Sequence, residues 1–259
     1  MTENKRKGRT IHLECVDSTN TYLKNLSIAG EADFYDCVIA DTQTGGRGRL
    51  GRSFASNKGK GIYLSYLMNP KDASAEELSR ITAWGAVAVR DALKETCGLD
   101  VGIKWVNDLV YEGRKVCGIL TEMTFGLENG KVHSVIMGIG INANHDEADF
   151  PEELRAVATS VKIIGGREWD ISELADNLIL RLDAINDDFP KSKEYYLSEY
   201  RRSCAVIGKK IRIIKGDAER CGTALDIDEN FGLIVAFDDG KTETVTDGDV
   251  SVRGFYGYI

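Results

Sequence analysis

Thr42-Gln43-Thr44-Gly45-Gly46-Arg47-Gly48-Arg49-Leu50-Gly51-Arg52 threads three arginines between four glycines. Arginine offers planar, permanently charged donors matched to carboxylate or phosphate, and glycine lets the backbone approach a ligand closely. The stretch therefore reads as a flexible cationic lid over an anion. Its Gly46-x-Gly48-x-x-Gly51 string also satisfies the dinucleotide-binding pattern, and it follows a strand expected over residues 37–41. That pattern requires the glycines to open a helix whose N-terminus meets pyrophosphate, whereas residues 53–61 have no helical periodicity. The dinucleotide reading is set aside on that ground. An exposed polar loop is the plainer alternative.

Working outward, a strand over residues 11–15 runs into Asp17-Ser18-Thr19-Asn20, and Tyr22, Leu23, Leu26 and Ile28 then recur at helical spacing. Asp17 or Ser18 reads as an N-cap, or the run reads as a compact polar cluster for a small ligand. Downstream, residues 61–68 alternate as a half-buried strand, and residues 74–97 form the longest expected helix. A strand over residues 101–105 leads through Asn107-Asp108 into a hairpin whose second arm carries Arg114-Lys115-Val116-Cys117-Gly118. Lys115 could hold a carboxylate or phosphate, and Asp108, at a strand end, could hold magnesium. Either alone could be an ordinary turn residue.

Residues 132–144 read as a strand whose Gly138 and Gly140 imply that a ligand or another backbone comes close. Asn142 and Asn144, two apart, point to one side. Helices are expected over residues 151–158, 171–187 and 192–204, with solvated faces and no assigned chemistry. From Val206 the texture changes to short alternating runs separated by turns such as Asp247-Gly248-Asp249, which predicts a small barrel.

Bulk properties narrow the function. A chain of 259 residues with 42% hydrophobic content is a packed globule, and a formal charge of −8 opposes non-specific nucleic-acid binding. The basic run from Lys5 to Arg9 reads as a solvated arm. Six scattered cysteines, with no Cys-x-x-Cys pair, read as reduced thiols, and His12, His133 and His145 as structural. No apolar leader or membrane-length run is present, so the expected compartment is cytoplasmic.

Asp17-Ser18-Thr19-Asn20, Gln43 with its arginine-glycine loop, Lys104-Trp105-Val106-Asn107-Asp108, Lys115-Val116-Cys117-Gly118-Ile119-Leu120 and Gly138-Ile139-Gly140-Ile141-Asn142 together resemble biotin protein ligase in order and spacing. The resemblance covers nearly the whole chain, including the terminal run Asp247-Gly248-Asp249-Val250-Ser251. It implies an α+β fold: a catalytic part over residues 1–205, built on a mixed sheet with helices behind it, and an SH3-like barrel over residues 206–259. The implied reaction attaches biotin to a lysine of a biotin carboxyl carrier protein, or of a carboxylase subunit domain, through biotinyl-5'-adenylate. ATP and biotin are substrates and Mg2+ accompanies them.

The resemblance further implies that Ser18, Thr19, Asn20 and Gln43 hold the biotin head group. Arg47, Gly48 and Arg49 close over biotin and adenylate, with Arg52, Phe54 and Asn142 toward the nucleotide. Lys115 stands between carboxylate and phosphate as the central catalytic charge, aided by Arg49, and Asp108 binds magnesium. Phe54 replaces the family's usual tryptophan and Val106 its usual proline. A lipoate or octanoate ligase or transferase of the same fold is the rival enzyme, and a biotin-responsive DNA-binding repressor the rival of another class. Only 17 residues precede Ser18, too few for a three-helix DNA-binding domain, so no DNA partner is expected. Monomer and homodimer both remain open.

Overall fold

A computed structural model describes residues 6–71, 73–126, 131–246, 250–254 and 258–259. Lys5 of the expected basic arm, the polar start Met1 to Asn4 and the Asp247-Gly248-Asp249 turn lie outside the described residues. The first half of the chain builds one sheet. Its strands are β1 (Thr10–Val16), β2 (Cys37–Gln43), β3 (Gly61–Met68), β4 (Gly102–Lys104), β5 (Asp108–Tyr111), β6 (Arg114–Phe125) and β7 (Val132–Asn142). They lie side by side in the order β1-β2-β3-β7-β6-β5-β4. Only β1 and β2 run parallel, so the sheet is mixed, as expected.

Helices cover both faces of this sheet, and the pattern of β7 shows how. Its odd positions Val135, Met137, Ile139 and Ile141 join the main core under α3 (Ile81–Cys97) and α5 (Ile171–Asp188), whereas Ile136 packs with Leu23, Val38 and Leu67 beneath α1 (Thr19–Ala29). Side chains alternate faces along a strand, so Gly138 and Gly140 belong to the α1 side. On the opposite side α3 presses close: a Cβ on Gly85 would lie 2.5 Å from the Met137 sulfur. Smooth glycine on one side and tightly packed aliphatic side chains on the other make β7 a floor for whatever lies beside α1.

After the sheet, α4 (Val161–Gly165), α5 and α6 (Lys193–Ser203) precede a second, antiparallel sheet. This comprises β8 (Lys210–Lys215), β9 (Ala218–Ile227), β10 (Leu233–Phe237), β11 (Thr242–Val245) and β12 (Val250–Gly254), in the order β11-β10-β9-β8-β12. It is the barrel-like element predicted from the short alternating runs. Its apolar residues Ile211, Ile213, Val235 and Val252 belong to the same core as the main sheet.

Two expectations need correction. The helix predicted over residues 74–97 is two helices, α2 (Ala75–Ser79) and α3, meeting at Arg80. Residues 151–158 contain a single 3-10 turn, Glu152–Leu154, not a helix. The segment is instead pinned alongside β6, where the Lys115 N–H donates to the Val157 carbonyl and the Thr159 N–H to the Lys115 carbonyl, both at 2.8 Å.

Candidate functional site

Two connected cavities open on the α1 side of the sheet. The inner one, about 500 Å3 including its open mouth, is lined at its polar end by Ser18, Thr19, Asn20 and Gln43. Ser18 is the N-cap of α1, its side chain accepting from the Thr21 N–H, so the helix start delivers the next two side chains into the cavity. Gln43 Oε1 accepts from Thr19 N–H at 2.8 Å and from Thr19 Oγ1 at 3.1 Å, and Gln43 Nε2 donates to Ser56 Oγ at 3.1 Å. Ser65 Oγ reaches both Thr19 Oγ1 (2.8 Å) and Asn20 Oδ1 (2.5 Å). Asn20 Nδ2 donates to Glu122 Oε2 at 2.8 Å and to the Leu120 carbonyl at 3.2 Å. These buried groups fix one another's rotamers before any ligand arrives.

The glycine floor explains how they fit. A side chain on Gly138 would overlap the Asn20 amide, and one on Gly140 would lie 2.7 Å from the Phe54 ring edge. The close approach expected at these glycines is therefore made by this chain's own side chains. Phe54, where the family usually has tryptophan, also meets Tyr63 edge to face, with ring centroids 6.4 Å apart. It lines both cavities.

The outer cavity is larger, about 1430 Å3 including open solvent. Arg49, Arg52, Lys104, Lys115 and Arg253 bring positive charge to it, and Phe150, Leu154, Val157 and Val252 supply apolar wall. Arg49 and Lys115 are the charged side chains common to both cavities. The organising loop is folded: Gly48 N–H donates to the Arg52 carbonyl at 2.7 Å, Phe54 N–H to the Gly46 carbonyl at 2.9 Å, and Leu50 takes the left-handed conformation at φ 57°. Arg47 donates to Thr21 Oγ1 at 2.6 Å, Arg49 to Asn107 Oδ1 at 3.2 Å and Arg52 to Ser251 Oγ at 3.2 Å. Asn142 Nδ2 donates to the Thr159 carbonyl at 3.0 Å.

Lys115 Nζ stands 2.6 Å from Asp108 Oδ1, and a side chain on Gly118 would lie 2.7 Å from that ammonium. Asp108 Oδ2 accepts from the Tyr258 hydroxyl. Burial opposes ionisation of Asp108, yet Lys115 and Tyr258 outweigh it and hold the carboxyl below the usual carboxylate range. Lys104 is 3% exposed, with its ammonium 3.3 Å from the centre of the Tyr258 ring. Burial, joined by the charges of Arg253, Lys115 and Arg52 against the opposing pull of Asp108, brings Lys104 down to about 7.

All twelve residues singled out from the sequence line these cavities. At Asp108, the expected magnesium residue, one carboxylate oxygen faces the Lys115 ammonium and the other accepts from Tyr258, and among the described residues no group of three or more His, Cys, Asp or Glu side chains could hold a metal, so an ion there would draw its other ligands from substrate phosphates. Asn144 leaves the site, pairing both ways with the Trp169 backbone. Val106, where the family usually has proline, follows a cis peptide bond, is buried, and accepts from the Tyr200 hydroxyl at 3.1 Å. Sequence reasoning missed Ser65, Glu122, Lys104, Leu154 and Tyr258. The alternation of residues 61–68 could have revealed Ser65 as a polar break in an otherwise apolar strand.

Residues 12–142 match the biotin/lipoate A/B protein ligase family. The chain belongs to that family. Among its curated members, the bifunctional ligase/repressor BirA of Bacillus subtilis is 35% identical over 204 residues, which are 78% of this chain but 62% of that relative. The chain thus spans less than two thirds of that protein's length. The biotin--[acetyl-CoA-carboxylase] ligase of Mycobacterium tuberculosis is 30% identical over 238 residues, 90% of this chain and 85% of that relative. Among solved structures, the biotin protein ligase of Aquifex aeolicus in complex with biotin and ATP superposes with a TM-score of 0.81 at 29% identity, covering 95% of this chain and 99% of that one.

Proposed function

We propose that this chain attaches biotin to a lysine of a biotin carboxyl carrier protein, or of a carboxylase's carrier domain, through biotinyl-5'-adenylate. The observation that carries the proposal is Lys115, an ammonium standing where a polar inner cavity opens into a cationic outer one. The family's ligand-bound neighbours support the same pairing of biotin with ATP.

In this reading the ureido head group takes the polar end formed by Ser18, Thr19, Asn20 and Gln43, and the carboxylate reaches Lys115. ATP lies in the outer cavity against Arg49, Arg52, Phe54 and Asn142. A carboxylate oxygen attacks the α-phosphorus as the bond to pyrophosphate breaks. Lys115 and Arg49 offset repulsion between the two anions and stabilise charge that develops in transfer. The neutral amine of the acceptor lysine then attacks the acyl carbon, AMP leaves with the electron pair of the anhydride bond, and the surplus proton on nitrogen passes to solvent. Positioning and cationic stabilisation suffice for both steps, without a nucleophilic side chain. Magnesium would come as the counter-ion of ATP, with the phosphates as its main ligands and Asp108, on the outer cavity's wall, as the carboxylate that would help hold it.

Biotin is favoured over lipoate or octanoate because the inner end is polar. An alkyl or dithiolane tail would displace water from the donor and acceptor capacity these amide and hydroxyl groups keep beyond their bonds to one another, the kind of mismatch that polar pockets reject strongly. The proposal divides the chain into a catalytic part, 1–205, and a C-terminal part, 206–259, whose Ser251 and Val252 wall the outer cavity. It gives DNA no part, in keeping with the formal charge of −8. Among the described residues no helix is long and apolar enough to cross a membrane.

The test is incubation with a carrier domain, biotin and ATP, followed by mass spectrometry. One lysine should gain one biotinyl group for each AMP released. Preferential transfer of a lipoyl or octanoyl group, or modification without AMP release, would overturn the proposal.

A further inference from the structure

The end of the chain returns to the catalytic lysine. Gly254, the last residue of β12, donates its N–H to the Tyr258 carbonyl at 3.2 Å, and a side chain on Gly254 would overlap the Ile259 backbone. The tail is thereby held against β12, and Tyr258 enters the main sheet's territory between Lys104 and Asp108. Its hydroxyl donates to Asp108 Oδ2, while the other oxygen of that carboxylate faces Lys115 Nζ at 2.6 Å. Tyrosine, carboxylate and ammonium form one continuous line.

We propose that Tyr258 is a positioning residue: by holding one oxygen of Asp108, it fixes the carboxylate plane and so sets where the Lys115 ammonium rests at the junction of the two cavities. Lysine needs such help. Its charge rides on a flexible four-carbon stem with rotatable donors, unlike the fixed fork of arginine. A carboxylate held at one oxygen can still turn about its bond, whereas one held at both presents a fixed partner. Preorganised charge acts on a transition state without reorganising at the moment of reaction. The aromatic ring has a separate task, covering the buried Lys104 ammonium. The geometric claim stands on these contacts alone, and its consequence for rate rests on the ligase reading above.

Tyr258→Phe separates the two tasks, because it keeps the ring over Lys104 and removes the hydroxyl that donates to Asp108 and also accepts from Arg253; the Asp108→Asn background below isolates the first of these bonds. The first measurement is modification of lysines by an amine-reactive ester in the unliganded protein, quantified peptide by peptide. Lys162, held by Asp146 and Glu168 in a separate ion-pair group, is the internal reference. In a variant that melts like the parent, Lys115 should react about threefold faster or more, and Lys162 at an unchanged rate, as expected for loss of one hydrogen bond to a charged group. The second measurement is biotin-dependent exchange of pyrophosphate into ATP. Its kcat should fall roughly five- to tenfold with little change in KM for biotin, and in an Asp108→Asn background the same substitution should cost less than about twofold.

An unchanged Lys115 labelling rate in the folded variant overturns the proposal, as does an equal kinetic loss with and without Asp108. If the parent protein shows no biotin-dependent exchange, the ligase reading fails, and the labelling result still decides whether Tyr258 positions Lys115.

Discussion

The inner and outer cavities share a wall but are built from different material. The inner one draws Thr19, Asn20 and Gln43 from regular elements, and each is bonded to another of them or to Ser65 and Glu122 behind them. The outer one draws on the arginine loop, the 150–158 segment and the end of the chain, and it gathers like charges: Arg52, Lys104, Lys115 and Arg253. A network whose members satisfy one another is rigid and selective, whereas a gathering of cations with Asp108 as the carboxylate among its lining residues is relieved by an anion. The first is suited to recognising a neutral polar head group before chemistry. The second is suited to gathering around a polyphosphate.

The largest expected effect comes from the residue the two cavities share. Lys115→Ala should lower biotin-dependent pyrophosphate exchange by roughly 10²–10³-fold or more, the usual cost of removing a group that stabilises transition-state charge. The melting temperature should fall as well, because the buried Asp108 carboxylate loses its ammonium partner, so exchange is compared at a temperature where both proteins are folded. Parental exchange rates in the folded variant would dissolve the idea of a junction. Next is Gly138→Ala, which attacks the inner cavity alone. Its new methyl would overlap Asn20, so overpacking should destabilise the protein by roughly 1–3 kcal/mol and raise KM for biotin while KM for ATP holds. Equal changes in both constants would show that the cavities are not independent.

These two substitutions also mark what the sequence made legible. Gln43, the arginine loop and the Lys115 segment are contiguous strings whose residue types carry their chemistry locally, and the structure places them around one cleft. Gly138 and Gly140 announced a close approach but not its source, because the approaching Asn20 and Phe54 lie more than 80 residues earlier in the chain. Residues 151–158 misled for a physical reason. Leu154, Val157 and Ala158 have helical spacing among good helix formers, but the Lys115 backbone pins Val157 and Thr159 beside β6, and the same apolar residues line the outer cavity instead. Lys104 stood in a quoted motif without a role and Tyr258 gave no signal, since a buried ammonium beneath an aromatic ring is created only when distant segments meet.

Smaller effects should be confined to the outer cavity. Arg49→Gly removes a cation common to both cavities while sparing Lys115. Adenylate synthesis should persist within a few-fold, but release of the intermediate should accelerate by roughly tenfold or more, given about 1.5–3 kcal/mol for a hydrogen bond to a charged group. Biotin would then appear on lysines of bystander proteins. An intermediate held as tightly as in the parent would show that the loop arginines serve another purpose.

The last effect depends on pH. Lys104 in the folded protein loses its proton near pH 7, whereas in the unfolded chain it keeps it until about 10.5. The unfolded state therefore binds more protons between those values, so this group makes stability rise with pH from about 7 upward and imposes its full burial penalty below. Lys104→Met should accordingly stabilise the protein more at pH 6 than at pH 8.5. In the parent, KM for ATP should rise a few-fold as pH passes 7 and the outer cavity loses a charge, with KM for biotin nearly flat. A stability gain independent of pH would place the Lys104 titration elsewhere.

The most direct test of the two-cavity account is the identity of the acid that drives exchange of labelled pyrophosphate into ATP. Parallel reactions would contain biotin, lipoate or octanoate at equal concentration. The account predicts exchange with biotin and background rates with the other two, because only biotin's polar head group satisfies Ser18, Thr19, Asn20 and Gln43. Exchange driven as well by lipoate or octanoate as by biotin would contradict it.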